Sequence, residues 1–318
     1  MPEASEAVHV YVQCGMRIRS EIEMHLPHLP SSEWDVDVRW GPPIVDTTPP
    51  PPGEVIASYV QGEVAWYTAT ATDEGYIVRF RDCGDFVISD DLSCIEVSPN
   101  PDPSGRADLL PILLAGTVSA ILLSLAGHTV LHASAVAADD TAIAFVGQSG
   151  RGKSTVAALL CVAGASLVTD DVLVVDAGPP PTCIGGANEL RLREGASSIP
   201  HARPEIAVRT TEDDRVAFAP PAAQAASISL GGIVIPAPSR EAQQVEAALV
   251  PPSTAVFKLL AFPRVHGWTR REVLAREFAT LSELVNSVPV YEVVIPWGPP
   301  FDPAVAPAII ELVVGRNR

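Results

Sequence analysis

The chain has 318 residues, 47% of them hydrophobic, and a formal net charge of −17 at pH 7. That apolar content excludes disorder over the whole length and leaves room for two domains and a sizeable core. The charge argues against a nucleic acid or an anionic membrane as partner, because both demand exposed positive charge.

Taken in chain order, Met1-Pro2-Glu3-Ala4 lacks the basic start and apolar core of a signal peptide, so a cytoplasmic location is expected. The first hundred residues read as a mostly β module, domain 1–104. Strands are predicted at Val8 to Val12 and Val36 to Trp40, where apolar and polar residues alternate. Further strands are predicted at Val64 to Thr70, Tyr76 to Arg81, Phe86 to Ser89 and Cys94 to Val97, separated by Gly and Asp turns. Between them, Thr47 to Gly53 holds four consecutive prolines and must be an extended loop. It reads as a stiff loop inside the module rather than as a free proline-rich ligand. Pro99 to Gly105 is the expected domain boundary, which makes 105–318 the second domain.

Leu109 to Gly127 is nearly uncharged and approaches transmembrane length. Its Pro, Gly, Ser and Thr content and the lack of a flanking Lys/Arg cluster favour a buried helix, with Asp108 placed to cap it. Val130 to Ala137 reads as a strand, Asp139-Asp140 as a tight turn, and Ala142 to Val146 as the antiparallel partner strand. A turn centred on Asp139-Asp140 sets His132 opposite Gly147. A histidine there could contact a phosphate oxygen or tune a neighbouring carboxylate.

Gly147-Gln148-Ser149-Gly150-Arg151-Gly152-Lys153-Ser154-Thr155 fits G-x-x-x-x-G-K-[ST]. In such a loop the backbone N–H groups wrap nucleotide phosphates, the lysine reaches the outer phosphates and the serine hydroxyl ligates Mg²⁺. The setting agrees, because an apolar strand precedes the loop and a helix from Thr155 to Ala163 comes after it, adding its dipole to the cradle. Arg151 is expected to add to the local positive field. Ser166 to Thr169 then reads as a strand running back alongside the first, a βαβ unit. Asp170 and Asp171 therefore land beside the outer phosphate, 17 and 18 residues after Lys153. One carboxylate could hold Mg²⁺ with Ser154 while the other takes a proton from an attacking hydroxyl.

His132, the loop 147–155 and Asp170-Asp171, at these spacings, resemble the C-terminal catalytic domain of HPr kinase/phosphorylase. That family is related in fold to ATP-dependent phosphoenolpyruvate carboxykinase. Leu131-His132-Ala133-Ser134-Ala135 leading into the loop resembles the stand-alone, kinase-like branch more than the bifunctional enzymes. The resemblance implies an α/β P-loop catalytic domain with a mixed sheet, using ATP and Mg²⁺. It implies Asp170 as the base toward the acceptor hydroxyl, Asp171 with Ser154 as metal ligands, and catalytic parts for Lys153 and His132. The family's glycine-rich signature after the aspartates is missing. Glu189-Leu190-Arg191-Leu192 is its nearest counterpart, where Glu189, Glu194 or Arg191 could join the site or be surface charges. The expected activity is thus a kinase acting on a Ser or Thr hydroxyl of a peptide or small protein. A small-molecule kinase and a nucleotide-dependent regulatory module are the alternatives, and a homo-oligomer stays open.

Beyond the aspartates, Val172 to Asp176 continues as a strand, and Ser197 to Ala226 reads as loops. A strand is predicted at Ser229 to Ile235, helices at Thr254 to Ala261 and Arg270 to Asn286, a strand at Val290 to Ile295 and a last helix from Pro303. Lys258, Arg264, Arg270 and Arg271 form a basic cluster that could meet an acidic group on the acceptor or simply be solvated. Five cysteines without a C-x-x-C pair or clustered histidines argue against structural zinc and a disulfide framework, and Cys161 reads as a buried apolar residue.

Overall fold

The computed structural model describes residues 8–102 and 104–315. The reading of Met1 to Ala4 lies outside them, as does Pro103 of the expected linker. The chain forms two compact units, Met1–Gly127 with Val265–Leu274, and His128–Arg264 with Ala275–Arg318. The division thus falls after Gly127, not after 104. The reason is local: the segment expected to be a linker is fastened, with Asn100 N donating to Cys83 O at 2.8 Å and Arg106 N to Asp82 O at 2.7 Å.

The first unit is an eight-stranded mixed sheet. Its strands are β1 (His9–Gln13), β2 (Met16–Ser20), β3 (Val36–Trp40), β4 (Glu54–Gln61), β5 (Val64–Thr72), β6 (Gly75–Phe80), β7 (Gly84–Ser89) and β8 (Cys94–Pro99). They lie in the order β1-β2-β3-β8-β7-β6-β5-β4. Tyr67, Phe80 and Phe86 are buried in it, the phenyl rings of the last two meeting edge to face at 5.7 Å. The proline tract is stapled to the sheet: Arg79 Nη1 donates to Pro49 O and Thr70 Oγ1 to Pro52 O. The outer strand β4 is covered by residues 265–274, with Thr269 N donating to Ile56 O and Tyr59 stacked on His266 at 4.6 Å.

The apolar stretch is a helical run comprising a 3₁₀ turn, α1 (Leu110–Leu113), a π turn (Leu114–Val118) and α2 (Ser119–Leu125). Its length and composition would suffice to span a bilayer, but 67% of its apolar window is buried inside the fold. The π turn loosens the hydrogen-bond ladder. Side chains make up for this, with Ser119 Oγ donating to Leu114 O at 2.7 Å and Gln13 Nε2 donating to Ala115 O. Asp108 does not cap: helical geometry begins before it, and its carboxylate pairs with Arg106.

The second unit is a nine-stranded mixed sheet with both faces covered, so this chain is an α/β protein. Its elements are β9 (Thr129–Leu131), β10 (Ala133–Ala138), β11 (Thr141–Val146), α3 (Lys153–Val162), β12 (Ser166–Asp170), β13 (Leu173–Asp176), β14 (Thr182–Ile184), β15 (Leu190–Leu192), β16 (Val208–Thr210), β17 (Val216–Phe218), β18 (Ile228–Ser239), β19 (Glu246–Leu249), α4 (Pro252–Leu260), α5 (Arg271–Ser287), β20 (Val290–Pro296) and α6 (Val305–Val313). The strand order is β12-β10-β11-β18-β14-β13-β9, with β20 beside β18 and β19. Alternation along β11 divides the core. Ala142, Ala144 and Val146 face a cluster that includes Val256, Leu259 and Leu284, while Ile143 and Phe145 face one with Val156, Leu160, Ile309 and Phe218.

The structure corrects three further expectations. The strand expected over Val130 to Ala137 breaks at His132, because β9 pairs with β13 whereas β10 pairs with β11 and β12. β12 runs parallel to β11, as expected, but β10 lies between them. Residues 197–226 are not all loop, since β16 and β17 join β15 in a three-stranded sheet.

Candidate active site

The β10–β11 hairpin turns on Asp139 and Asp140, both at positive φ (47° and 59°), as a tight primed turn requires. Its register pairs Ala133 with Val146, so His132 and Gly147 leave the ladder side by side. β11 thus delivers the glycine loop to the C-terminal edge of the sheet, and α3 begins at Lys153. Gly152, the N-cap, sits at φ +86° and has Trp297 against it. A Cβ there would lie 2.3 Å from the indole Cη2, so both backbone conformation and space demand glycine.

Lys153 is buried, and its ammonium donates to Gly147 O at 2.8 Å and Gln148 O at 3.4 Å. Burial pushes its pKa down, and the charges of Asp170 and Asp171 oppose that shift. Ser134 on β10 faces Asp170 across the β10–β12 ladder. Asp170 Oδ1 accepts from Ser134 Oγ at 2.6 Å and from Ser154 Oγ at 2.8 Å, while Oδ2 accepts from Arg191 N at 3.0 Å.

Asp171 differs in backbone conformation and in its charged partners. It occupies the left-handed region at φ 89°, tied by its N–H to Ala133 O at 2.9 Å. Its carboxylate meets Arg264 Nη2 at 2.7 Å, His132 Nε2 at 3.4 Å and Arg191 Nη2 at 3.7 Å. Burial pushes its pKa up, but Arg264, His132 and Arg191 outweigh burial and hold it well below the ordinary carboxylate range. Arg264 arrives because Pro263 bridges to Leu131, the residue before His132.

These groups line a cleft of about 320 Å³. Its lining includes Ser149, Gly150, Gly152, Lys153, Ser154 and Thr155 together with His132, Asp170 and Asp171. Five basic side chains face it, Lys153, Arg191, Arg193, Arg215 and Arg240, against two carboxylates. In a chain of net charge −17 that is a local concentration of positive charge, suited to a polyanion. Arg193 Nη2 also reaches Ser149 Oγ at 3.4 Å.

Of the residues expected at the site, the structure gathers His132, Lys153, Ser154, Thr155, Asp170 and Asp171, with Ser149, Gly150 and Gly152 of the loop. Gly147 and Gln148 enter through their carbonyls. Arg151 is exposed and off the lining, so it does not supply the field. The carboxylate that neighbours His132 is Asp171, and the Ser154 hydroxyl bonds Asp170, not the Asp171 that the resemblance pairs with it. Glu189 pairs with Arg209 at 2.7 Å and Glu194 is exposed, so neither joins. The basic cluster disperses: Lys258 pairs with Glu292 and Arg270 with Glu272, while Arg264 alone reaches the site. Arg193, Arg215, Arg240 and Trp297 line the cleft but carry no sequence signal of their own. Among the described residues no cluster of three or more His, Cys, Asp or Glu could hold a metal.

No family model matches the chain, and no curated protein matches it. Among solved structures, the chain is similar to the HPr(Ser) kinase/phosphatase from Coxiella burnetii, at 12% identity and a TM-score of 0.29. That match covers 59% of this chain and 95% of the other.

Proposed function

We propose that this protein is an ATP- and Mg²⁺-dependent kinase that transfers the γ-phosphoryl group to a hydroxyl, most simply of a Ser or Thr in a peptide or small protein. The observation that carries the reading is the Ser154–Asp170 hydrogen bond at the start of α3, set beside a second, ionised carboxylate on the same edge. A hydroxyl and a carboxylate are hard oxygen ligands. Mg²⁺ is commonly held by one or two carboxylates together with substrate phosphates, so a site without an all-protein cage fits. Ser154 and Asp170 would hold the ion, which supplies neutralisation of charge on the phosphates.

The two aspartates accordingly exchange the roles that the resemblance implies. Asp171 is held ionised by Arg264 and Arg191, hence acceptor-only, and orients the attacking hydroxyl. In a loose phosphoryl-transfer transition state the hydroxyl proton leaves late, so a weakly basic carboxylate suffices. As the bond from the γ-phosphorus to the β-bridging oxygen breaks and a bond to the acceptor oxygen forms, the proton passes to Asp171, with His132 next to it. Lys153 leaves its loop carbonyls for the outer phosphates, and Arg193 beside Ser149 meets the transferring group.

The test compares Asp170→Asn and Asp171→Asn with the parent, by ATP titration with and without Mg²⁺ and by the mass of candidate acceptor peptides. Asp170→Asn is expected to lose the Mg²⁺-dependent gain in ATP affinity. Asp171→Asn is expected to bind MgATP and fail to transfer. The opposite pattern would restore the roles implied by the resemblance.

A further inference from the structure

Three parallel strands end at the same edge. β11, β18 and β20 are parallel in successive pairs. The first residues after them are Gly147, Arg240 and Trp297, and the latter two line the cleft with the rest of the glycine loop. Ligands of parallel α/β sheets bind outside the carboxyl ends of the strands. Arg240 and Trp297 therefore occupy positions where substrate contacts are made, although no motif marks them.

Trp297 has a specific placement. Its backbone N–H donates to Ser239 O on the neighbouring strand at 3.0 Å, which extends the β18–β20 pairing by one residue. Phe301 meets the indole at 89° with centroids 5.4 Å apart, which fixes its orientation. The edge of the indole presses on Gly152, inside the loop itself. An aromatic ring that lines the cleft is thus held against the glycine loop at Gly152.

We infer that Trp297 is the nucleobase-binding wall of this site, so that the cleft selects a nucleoside triphosphate over a bare polyphosphate chain. This rests on the reading of loop 147–155 as the phosphate cradle. An aromatic face suits any base, because every base offers a π surface. Arg240, exposed at the end of the adjacent strand, lies on the same side to meet the sugar-phosphate portion.

The chain supplies its own reporter. Of its five tryptophans, Trp34, Trp40, Trp66 and Trp268 lie in the first unit, which leaves Trp297 as the one indole of the second. The experiment titrates the full chain, with Mg²⁺, against ATP and against inorganic tripolyphosphate, by calorimetry and indole fluorescence. Trp297→Leu and Trp297→Phe are run beside it. ATP is expected to bind more tightly than tripolyphosphate and alone to change the indole emission. Trp297→Leu should weaken ATP about tenfold and leave tripolyphosphate unchanged, while Trp297→Phe keeps most of the affinity. Equal weakening of both ligands would make Trp297 a support of the loop and overturn the inference. So would tripolyphosphate binding as well as ATP in the parent, with the phosphate cradle intact. Binding of neither ligand to the parent would overturn the cradle and the wall together.

Discussion

Replacing Arg264 by Met removes the closest cation from Asp171 while keeping the length of the side chain. The pair is largely shielded, with side-chain exposures of 12% and 19%. Removing one partner of a buried ion pair costs about 3–5 kcal/mol when the other is left uncompensated. Asp171 keeps His132 at 3.4 Å and Arg191 at 3.7 Å, so the cost falls below that range, to about 2 kcal/mol. For a unit of this size that is a fall of about 4–8 °C in Tm. The pH dependence has a definite sign. Asp171's folded pKa is depressed below its ordinary 3.8, so its stabilisation is complete above that value and is lost as pH falls toward the folded pKa. The gap in Tm between parent and Arg264→Met should therefore be full at pH 7 and close in acid. Thermal unfolding in a double-mutant cycle with Asp171→Asn measures the coupling, and Arg264→Met should cost little in that background. Strict additivity of the two substitutions, or a gap independent of pH, would refute the pairing.

Lys153→Met should abolish ATP binding yet leave stability equal or higher, since a buried ammonium is removed. Because burial lowers the folded pKa of Lys153, the unfolded chain binds more protons in the alkaline range, so the parent should climb toward the stability of Lys153→Met as pH rises there; equilibrium unfolding from neutral to alkaline pH reads this. Gly152→Ala, strained at φ +86° and thrust against Trp297, should lower Tm and weaken polyanion binding together, by calorimetry. In the first unit, Arg79→Met breaks a buried cross-strand pair, Arg79 Nη2 to Asp85 Oδ2 at 2.6 Å, and should cost about 3–5 kcal/mol in urea unfolding. Thiol labelling of the native chain should be confined to Cys94, because Cys14, Cys83, Cys161 and Cys183 are buried, with burial pushing the last two up to about 12.

Local patterns made much of this architecture legible. Alternation marked Val36–Trp40 to the residue, and the Asp139-Asp140 turn fixed the register that sets His132 beside Gly147. The glycine loop, Lys153 and the aspartates were legible because their chemistry is written in short spacing. The features that escaped depend on contacts remote in sequence. Arg264 lies 93 residues from Asp171 and reaches it through a bridge at Pro263 that no periodicity announces. The hydrogen-bond partners of Asp170 depend on which strand neighbours β12, and the insertion of β10 places Ser134 opposite Asp170. The domain division moved because the apolar helix was assigned to the strands after it in the chain, whereas it packs with the sheet before it.

The measurement that bears most directly on the central claim is phosphoryl transfer itself. The full chain is incubated with MgATP and the peptides or small proteins encoded beside its gene, and intact masses are read for the parent and for Asp171→Asn. The account predicts the gain of one phosphate on an acceptor hydroxyl with the parent and none with Asp171→Asn, while both bind MgATP. Full transfer by Asp171→Asn, or no binding of MgATP by the parent, would contradict it.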